Sequence, residues 1–231
     1  MACHSGNNII RDGLVLHINP VDKNSYIGIG TNVNDLSGNN NDVILLNGVG
    51  YNSGSFIFDG VNDYASLGDF QLSSHTMEVW ANSSNGSQGG ASADTLVNIL
   101  GNYSTNTGEA GKYTHIGLRG TNLIALSIDD GVLSFVLIGT PVTYTTNEWY
   151  HLVLTYDSNG STKAYVNGME VGSINFTSNV VFNSAPTLLA KNGHNNKYFN
   201  GKIGDVLVYN RALTADEILQ NYNNTKSRYI S

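Results

Sequence analysis

Two adjacent carboxylates, Asp129 and Asp130, are the first residues of the sequence whose types could do chemistry. Paired carboxylates cleave glycosidic bonds when one protonates the leaving oxygen and the other acts across a short gap. Neighbouring residues of a strand point to opposite faces of a sheet, so this pair could not act together on a strand. Gly131 follows the pair, and an Asp-Gly sequence between apolar runs is typical of a hairpin turn. We therefore predict that both aspartates belong to a turn and are not catalytic.

The other residue types used in catalysis also lack a motif. The sequence has 6 histidines, none of them in H-x-x-x-H spacing, and its single cysteine, Cys3, cannot form a C-x-x-C zinc motif or an internal disulfide. No serine stands at the centre of a G-x-S-x-G sequence. These features predict a protein that is not an enzyme.

Sugar binding requires no catalytic motif, only an aromatic face and a few planar hydrogen-bonding groups. Several aromatic and polar residues in polar segments could supply these groups, although each could equally fill the core or surface of a strand. Trp80 and Trp149 lie inside apolar runs, and we predict that both belong to the core. The predicted glycan contacts are Tyr103, Tyr113, His115, Arg119, Tyr144, His194 and Tyr198.

Composition limits the partners and the number of domains. A formal net charge of -7 without a basic stripe argues against binding a nucleic-acid backbone. No apolar run approaches bilayer length, and the first residues lack the basic and apolar regions of a signal peptide, so we expect no membrane insertion. All-β units of 231 residues are commonly one domain. We predict an N-terminal arm over residues 1–12 and one domain over residues 13–231.

Short strands punctuated by Gly, Asn and Asp follow one another along most of the chain. Alternating apolar residues predict a hairpin that turns at Gly60 to Asp63 and a central strand around Met77 to Ala81. At the C-terminal end, Thr214 and Glu217 form a capping box that predicts a helix from Thr214 to Asn221. The pattern predicts an all-β, two-sheet antiparallel jelly-roll sandwich with a short C-terminal helix.

Five short motifs occur along the chain: GLVL at residues 13–16, DLSGN at 35–39, FDG at 58–60, WYHLV at 149–153 and YNRAL at 209–213. Together they resemble the laminin-G-like branch of the concanavalin A-like lectin/glucanase superfamily, of the kind found in bacteriophage structural proteins. The resemblance implies a concanavalin A-like jelly roll. Glucanases of this superfamily use E-x-D-x-E or E-x-D-x-x-E on one strand, and no glutamate here has that spacing.

The resemblance also implies a structural calcium ion. Relatives hold this ion with a carboxylate of the last long strand and with backbone carbonyls near the first strand and an early turn. The matching positions are Asp205, Asn19 and Gly54. Calcium accepts such mixed oxygen ligands. The alternative is that Asp205 caps a bulge between Ile203 and Val206.

Two function classes remain open. The first is a non-catalytic structural module of a virus particle, such as a capsid decoration, fibre or tail-associated protein, located on the virion and contacting virion proteins or itself as a symmetric homo-oligomer. The alternative is an extracellular or cell-surface lectin-like domain that binds a host-surface glycan. A virion module could also bind such a glycan, so the two classes overlap.

Overall fold

The computed structural model describes residues 9–70, 72–86, 97–101, 112–120, 123–130, 136–137, 142–159, 161–175, 186–192 and 197–230. These residues form β-strands along most of the chain, followed by a helix α1 (Ala215–Thr225) and a 3-10 turn (Lys226–Arg228). The strands are β1 (Leu14–Ile18), β2 (Asn32–Val33), β3 (Val43–Leu46), β4 (Gly50–Asn52), β5 (Ser55–Asp59), β6 (Tyr64–Ser66), β7 (His75–Ser83), β8 (Val97–Gly101), β9 (Lys112–Arg119), β10 (Leu123–Asp130), β11 (Val136–Leu137), β12 (Val142–Thr143), β13 (Trp149–Tyr156), β14 (Ser161–Val166), β15 (Met169–Asn175), β16 (Leu188–Leu189), β17 (Lys191–Asn192), β18 (Lys197–Tyr198) and β19 (Asn200–Tyr209).

The strands form two antiparallel sheets. Sheet A has the order β15-β14-β13-β7-β19-β5-β4, and β1 also pairs with β19. Sheet B has the order β11-β10-β9-β8-β16-β6-β3-β2, and β12 also pairs with β10. Strands β17 and β18 form a separate two-stranded sheet. This architecture confirms the predicted two-sheet antiparallel sandwich.

A single apolar core fills the space between the two sheets. Alternate residues of the central strands point into it, including Val79 of β7, Ile116 of β9 and Val208 of β19, all fully buried. Strand β7 lies between β13 and β19, and every one of its residues is buried, so the predicted central strand is confirmed. Residues available for binding a partner or a ligand therefore lie on the outer faces of the sheets and in the connecting loops.

The DLSGN segment covers an edge of the first strand. Among the described strands, β1 pairs only with β19. The Asp35 carboxylate accepts a hydrogen bond from the backbone amide of His17 at 2.9 Å, and the side-chain amides of Asn39 and Asn41 donate to the carbonyl of Val15 at 3.3 and 2.9 Å. An edge strand otherwise exposes such groups to pairing with other chains. The motif therefore has a structural role.

The hairpin predicted at Gly60 to Asp63 is wrong. Strand β5 pairs with β4 and β19 in sheet A, whereas β6 pairs with β3 and β16 in sheet B. The turn therefore carries the chain from one sheet to the other. The pairing of β10 with β11 confirms the next predicted hairpin, but Asp129 and Asp130 are the last residues of β10 and lie in its ladder with β9, not in the turn.

The capping box and the helix are confirmed at the C-terminal end. The Thr214 hydroxyl accepts a hydrogen bond from the amide of Glu217 at 3.3 Å, and the Glu217 carboxylate accepts one from the amide of Thr214 at 2.9 Å. The helix runs from Ala215 to Thr225, somewhat longer than predicted. It lies on the outer face of sheet A, where Ile218 is fully buried against Leu213, as expected for a hydrophobic staple.

A buried polar network fixes α1 to sheet A. The Glu78 carboxylate accepts hydrogen bonds from Nε2 of His151 at 2.8 Å and from Nδ2 of Asn221 at 2.9 Å. Nδ2 of Asn221 also donates a hydrogen bond to the Tyr209 hydroxyl. Oδ1 of Asn221 accepts one from the backbone amide of Ile10. The side chains of Glu78 and His151 are completely buried. The network joins the helix, the three strands β7, β13 and β19, and residue 10 of the predicted arm.

The prediction that both tryptophans are buried in the core is confirmed for Trp80 and wrong for Trp149, and neither indole lies between the two sheets. Trp80 is fully buried, but on the outer face of sheet A, where its indole donates to the Thr225 hydroxyl at 2.9 Å. Its ring stacks on Tyr229 with 4.7 Å between centroids. Trp149 is only half-buried and contacts Tyr229 from another side, also at 4.7 Å. The end of the chain thus covers both indoles, since their strands carry them on the outer face.

Candidate functional site

Two tyrosines and a lysine form a partly exposed cluster where sheet B meets the small β17–β18 sheet. The rings of Tyr64 and Tyr198 lie 6.5 Å apart and are tilted by 50°. The Lys191 ammonium lies 4.4 Å from the Tyr64 ring centroid and 5.7 Å from that of Tyr198. All three residues are half-buried. We call this cluster the tyrosine–lysine surface.

The small β17–β18 sheet positions two of these residues. Lys191 pairs directly with Tyr198 in the β17–β18 ladder. The next residue, Phe199, is fully buried in the core, and its amide donates to the carbonyl of Ala190 at 2.9 Å. Ala190 itself has φ 65°, a left-handed conformation that turns the chain from β16 into β17. Both ends of the β17–β18 pair are therefore attached to the core.

The corner between the two sheets positions Tyr64. Oδ1 of Asp59 accepts a hydrogen bond from the amide of Val61 at 2.8 Å, and Oδ2 of Asp63 accepts one from the amide of Asp59 at 3.2 Å. Burial raises the pKa of the Asp63 carboxyl. Tyr64 follows this turn, and its neighbour Ala65 points into the core. Because strand residues alternate between faces, the Tyr64 ring points outward.

A buried polar group lies nearby on the outer face of sheet B. His115, 2% exposed, lies over Gly117 of its own strand, and its Nδ1 lies 3.5 Å from the Ser127 hydroxyl. Its Nε2 has no hydrogen-bond partner among the described residues, and burial lowers the pKa of the imidazole to about 3. Asn98, paired with Gly117 across the ladder, donates to the carbonyl of Lys191 at 2.9 Å. His115 is thus a neutral residue beneath the surface.

The structure separates the predicted glycan contacts. Tyr198 lies in the tyrosine–lysine surface, and Arg119 is half-buried at the end of β9. Tyr144 is buried, and its hydroxyl donates to the carbonyl of Asn85 at 2.8 Å. Burial raises the pKa of this hydroxyl. Tyr113 belongs to β9, but its side chain is outside the described part of the structure. The predicted contacts Tyr103 and His194 lie outside the described residues.

Sequence reasoning missed Tyr64 and Lys191. Tyr64 could have been found, because the alternation of Tyr64, Ala65 and Ser66 places an aromatic residue on the face opposite a small apolar one. Lys191 carries no local signal, since only the pairing of β17 with β18 brings it to the two tyrosines.

The described residues of this surface include no carboxylate pair and no acid–base pair. The carboxylate–imidazole pair of Glu78 and His151 is completely buried under α1 on the opposite sheet. Asp129 and Asp130 belong to the ladder of β10 with β9, and their side chains lie outside the described residues. Within the described ranges, no group of three or more His, Cys, Asp or Glu side chains could hold a metal ion.

The predicted calcium ligands lie near one another, but the carboxylate is already paired. The β1–β19 register ends just before Asn19, which brings that residue beside Asp205. Val21, two residues on, packs closely over Gly54. Asp205 is fully buried at the β19 bulge and accepts a hydrogen bond from Arg228 of the 3-10 turn. Burial raises the pKa of Asp205 to about 6, and Arg228 opposes that shift.

This donor set does not fit a calcium ion while the ion pair with Arg228 is intact. The guanidinium already supplies the positive charge that Asp205 needs, and the Asp205 amide donates to the Tyr229 hydroxyl at 2.8 Å. The other oxygen, Oδ1, is buried without a hydrogen-bond partner in the described structure. The arrangement agrees with the alternative that Asp205 stabilises the bulge, here together with the end of the chain.

The resemblance predicts calcium binding, whereas the ion pair of Asp205 with Arg228 argues against it, and a melting experiment distinguishes the two. An ion that binds only the folded state raises the melting temperature by mass action. Because Arg228 occupies the carboxylate, we expect the melting temperatures in calcium and in EDTA to be equal. A rise in calcium that the Asp205→Asn variant abolishes would instead establish the ion site inferred from the resemblance.

Comparisons with known proteins place this geometry in a family. The family model Laminin G 3, described as concanavalin A-like lectin/glucanases superfamily, matches residues 59–219. A comparison with curated protein sequences gives no match. No helix in the described part of the chain is long and apolar enough to cross a membrane.

Solved structures share the fold at low sequence identity. The binding domain of Paraclostridial Mosquitocidal Protein 1 has a TM-score of 0.69 and 18% identity, with 92% of this chain and 52% of that one covered. Domain 4 of AbnA, an extracellular arabinanase from Geobacillus stearothermophilus in complex with arabinotriose, has a TM-score of 0.68 and 18% identity, with 90% and 98% covered. The binding domain of botulinum neurotoxin DC in complex with SialylT has a TM-score of 0.67 and 16% identity, with 95% and 52% covered.

The chain thus spans about half the length of the toxin binding domains that it matches. The family match extends over more than half of the present chain. The chain therefore belongs to the Laminin G 3 family of the concanavalin A-like lectin/glucanases superfamily.

Proposed function

We propose that the chain is a non-catalytic module that binds a cell-surface glycan through the tyrosine–lysine surface. The observation that carries this proposal is the geometry of Tyr64 and Tyr198, two half-buried rings 6.5 Å apart with an ammonium group beside them. Sugars present apolar C–H faces to aromatic rings and hydroxyls to polar groups. The two rings could hold one or two sugar units in this way.

The structural neighbours support a binding role. The AbnA domain is described in complex with arabinotriose and the neurotoxin DC domain in complex with SialylT, and a further neurotoxin structure refers to two ganglioside molecules. These ligands belong to those proteins, and at such low identity the likeness extends to the fold alone. The position of the site in the present chain rests on its own side chains.

A non-catalytic role agrees with the burial of Glu78. A glycosidase needs two carboxyl groups about 5 Å apart or somewhat farther on the two sides of the bond. Glu78, in the middle of the central strand β7, is fully buried beneath α1 and hydrogen-bonded to His151 and Asn221. It is thus committed to attaching the helix.

A glycan array with the wild type and a Tyr64→Ala/Tyr198→Ala variant tests the proposal. We expect the wild type to bind a defined set of glycans and the variant to lose at least about tenfold in affinity, because aromatic contacts contribute on the order of 1 kcal/mol each. Tyr222→Ala is the matched control, since Tyr222 is a half-buried tyrosine with a lysine, Lys226, 5.3 Å from its ring on the opposite sheet. Equal binding by the wild type and the double variant would refute the proposed site.

A place on a virus particle is the second candidate function. Two exposed apolar side chains at the edge of sheet B favour it: Ile27 and Ile29 are 66% and 74% exposed and share a shallow cleft of about 440 Å³ next to β2 with polar residues such as Asn34. Apolar surface of this kind commonly marks contacts with other proteins. A symmetric copy of the chain or a virion protein could cover it. A monomeric mass of the purified protein in solution would exclude the symmetric copy.

A further inference from the structure

Lys191 carries a charge that no carboxylate neutralises within the described part of the chain. Its ammonium contacts the rings of Tyr64 and Tyr198 and forms no ion pair there. The ion pairs of Lys163, Arg211 and Arg228 all include a carboxylate. The chain has 18 acidic residues and only 11 lysines and arginines, so a partner for a half-buried ammonium would be easy to provide. Lys23 and Lys226 also lack a carboxylate partner within the described residues, but both are exposed and their ammonium groups donate to the Ile27 carbonyl and to Oδ1 of Asn223. For the half-buried Lys191 the described residues provide neither a carboxylate nor an oxygen acceptor, which suggests that a ligand supplies one.

The position of this ammonium is built into the fold. The Lys191 backbone is held on one side by pairing with Tyr198 and on the other by the side-chain amide of Asn98, which donates to its carbonyl at 2.9 Å. Asn98 is almost completely buried on β8. The side chain is then directed over the two tyrosine rings, which attract a cation but accept no strong hydrogen bond from it. The three N–H groups of the ammonium remain able to bind an anion.

We propose that the tyrosine–lysine surface takes a carboxylate-bearing sugar, either a sialic acid or a uronic acid, whose carboxylate pairs with Lys191. This inference rests on the proposed glycan binding and specifies its substrate class. The ring of the acidic sugar, or of its neighbour, packs on Tyr64 and Tyr198 while the carboxylate accepts charge-assisted hydrogen bonds from Nζ.

The same arrangement discriminates against neutral sugars. A neutral sugar that covers the two rings would remove water from Lys191 without supplying an opposite charge, and a desolvated charge without a partner is costly. Specificity of this kind comes from the penalty for the wrong ligand as well as from the contact with the right one. The attraction between a surface ammonium and a carboxylate is screened by salt, so the affinity for acidic sugars should fall as ionic strength rises.

Calorimetric titration with matched pairs of sugars tests the inference. The probes are 3′-sialyllactose against lactose and a galacturonic acid trimer against a neutral galactose trimer, so the two pairs distinguish the two sources of the carboxylate. We expect one acidic probe to bind at least about tenfold more tightly than its neutral counterpart, as for a single charge-assisted hydrogen bond. Lys191→Gln should remove that difference and Lys191→Arg should retain it. Lys226→Gln, which alters the tyrosine–lysine pair on the opposite sheet, should leave it unchanged.

The outcomes separate this inference from the proposed function. If the tyrosine–lysine surface binds neutral and acidic probes equally, or if Lys191→Gln retains the preference, the acidic ligand class is wrong while glycan binding stands. If neither acidic probe binds and the array shows neutral glycans whose binding depends on Tyr64 and Tyr198, the ligand class is again wrong. If no glycan binding depends on these tyrosines, both proposals fail. Melting temperatures of all variants show whether a loss reflects unfolding.

Discussion

Lowering the pH from 7 to 5 is expected to reduce the free energy of unfolding by about 5 kcal/mol, because three histidines are buried in their neutral form. Burial lowers the pKa of His17 to about 4 and those of His75 and His115 to about 3. In the unfolded chain each would titrate near 6.5. Between these values the unfolded state binds protons that the folded state does not, so stability is complete above pH 6.5 and falls below it.

The size of the effect follows from the pKa differences. At pH 5 each histidine contributes a loss of about 2 kcal/mol, since one pH unit corresponds to about 1.4 kcal/mol. Asp205 changes the free energy of unfolding in the opposite direction. Because its pKa is raised to about 6 in the folded protein, the folded state binds a proton before the unfolded state does, which offsets about 1 kcal/mol of the loss at pH 5. A total near 5 kcal/mol is comparable with the whole stability of many domains.

Urea unfolding at pH 5, 6 and 7 measures this dependence. The diagnostic variant is His17→Leu, because both ring nitrogens of His17 lack a hydrogen-bond partner within the described residues and an apolar side chain should be tolerated there. We expect it to reduce the loss at pH 5 by about 2 kcal/mol. A wild type equally stable at all three pH values would show that these histidines are not neutral and buried.

The Glu78→Ala variant is expected to lose about 3–5 kcal/mol of unfolding free energy, because it breaks a buried polar pair and leaves its partner uncompensated. Glu78 is the acceptor for both His151 and Asn221, so its removal detaches α1 from sheet A. The two tryptophans of the chain, Trp80 and Trp149, lie under its C-terminal end. Their fluorescence should therefore shift to longer wavelength, as water reaches the rings.

A surface pair provides the control for this substitution. Lys163 and Glu170 form an ion pair at 3.1 Å with both side chains more than a third exposed. Lys163→Ala should cost less than about 1 kcal/mol and leave the fluorescence unchanged. If Glu78→Ala is as mild as Lys163→Ala, the polar network does not hold the helix.

Features determined by neighbouring residues could be predicted from the sequence. The capping box of Thr214 and Glu217 is complete within four consecutive residues, and the Asn167-Gly168 turn between β14 and β15 needs only residues that tolerate positive φ, 53° and 77° here. The five family motifs, read together with these local patterns, predicted the whole two-sheet sandwich. The wrong hairpin at Gly60 shows the limit, since alternation is the same whether two strands pair or separate into different sheets.

Features determined by tertiary pairing could not be predicted in this way. Arg228 meets Asp205 only because the 3-10 turn folds back over sheet A, and no motif marks that contact. Lys191 meets Tyr64 only because β17 leaves β16 through the left-handed Ala190. Tyr198 was a candidate because of its residue type, but its partners came from the fold.

The most direct test of the central claim is to locate the ligand on the protein. We would titrate ¹⁵N-labelled protein with the strongest glycan from the array and follow the backbone amide resonances. The proposed function predicts that the changes centre on Tyr64, Lys191 and Tyr198. Changes centred instead on the exposed isoleucines next to β2, with the tyrosine–lysine surface unaffected, would contradict it.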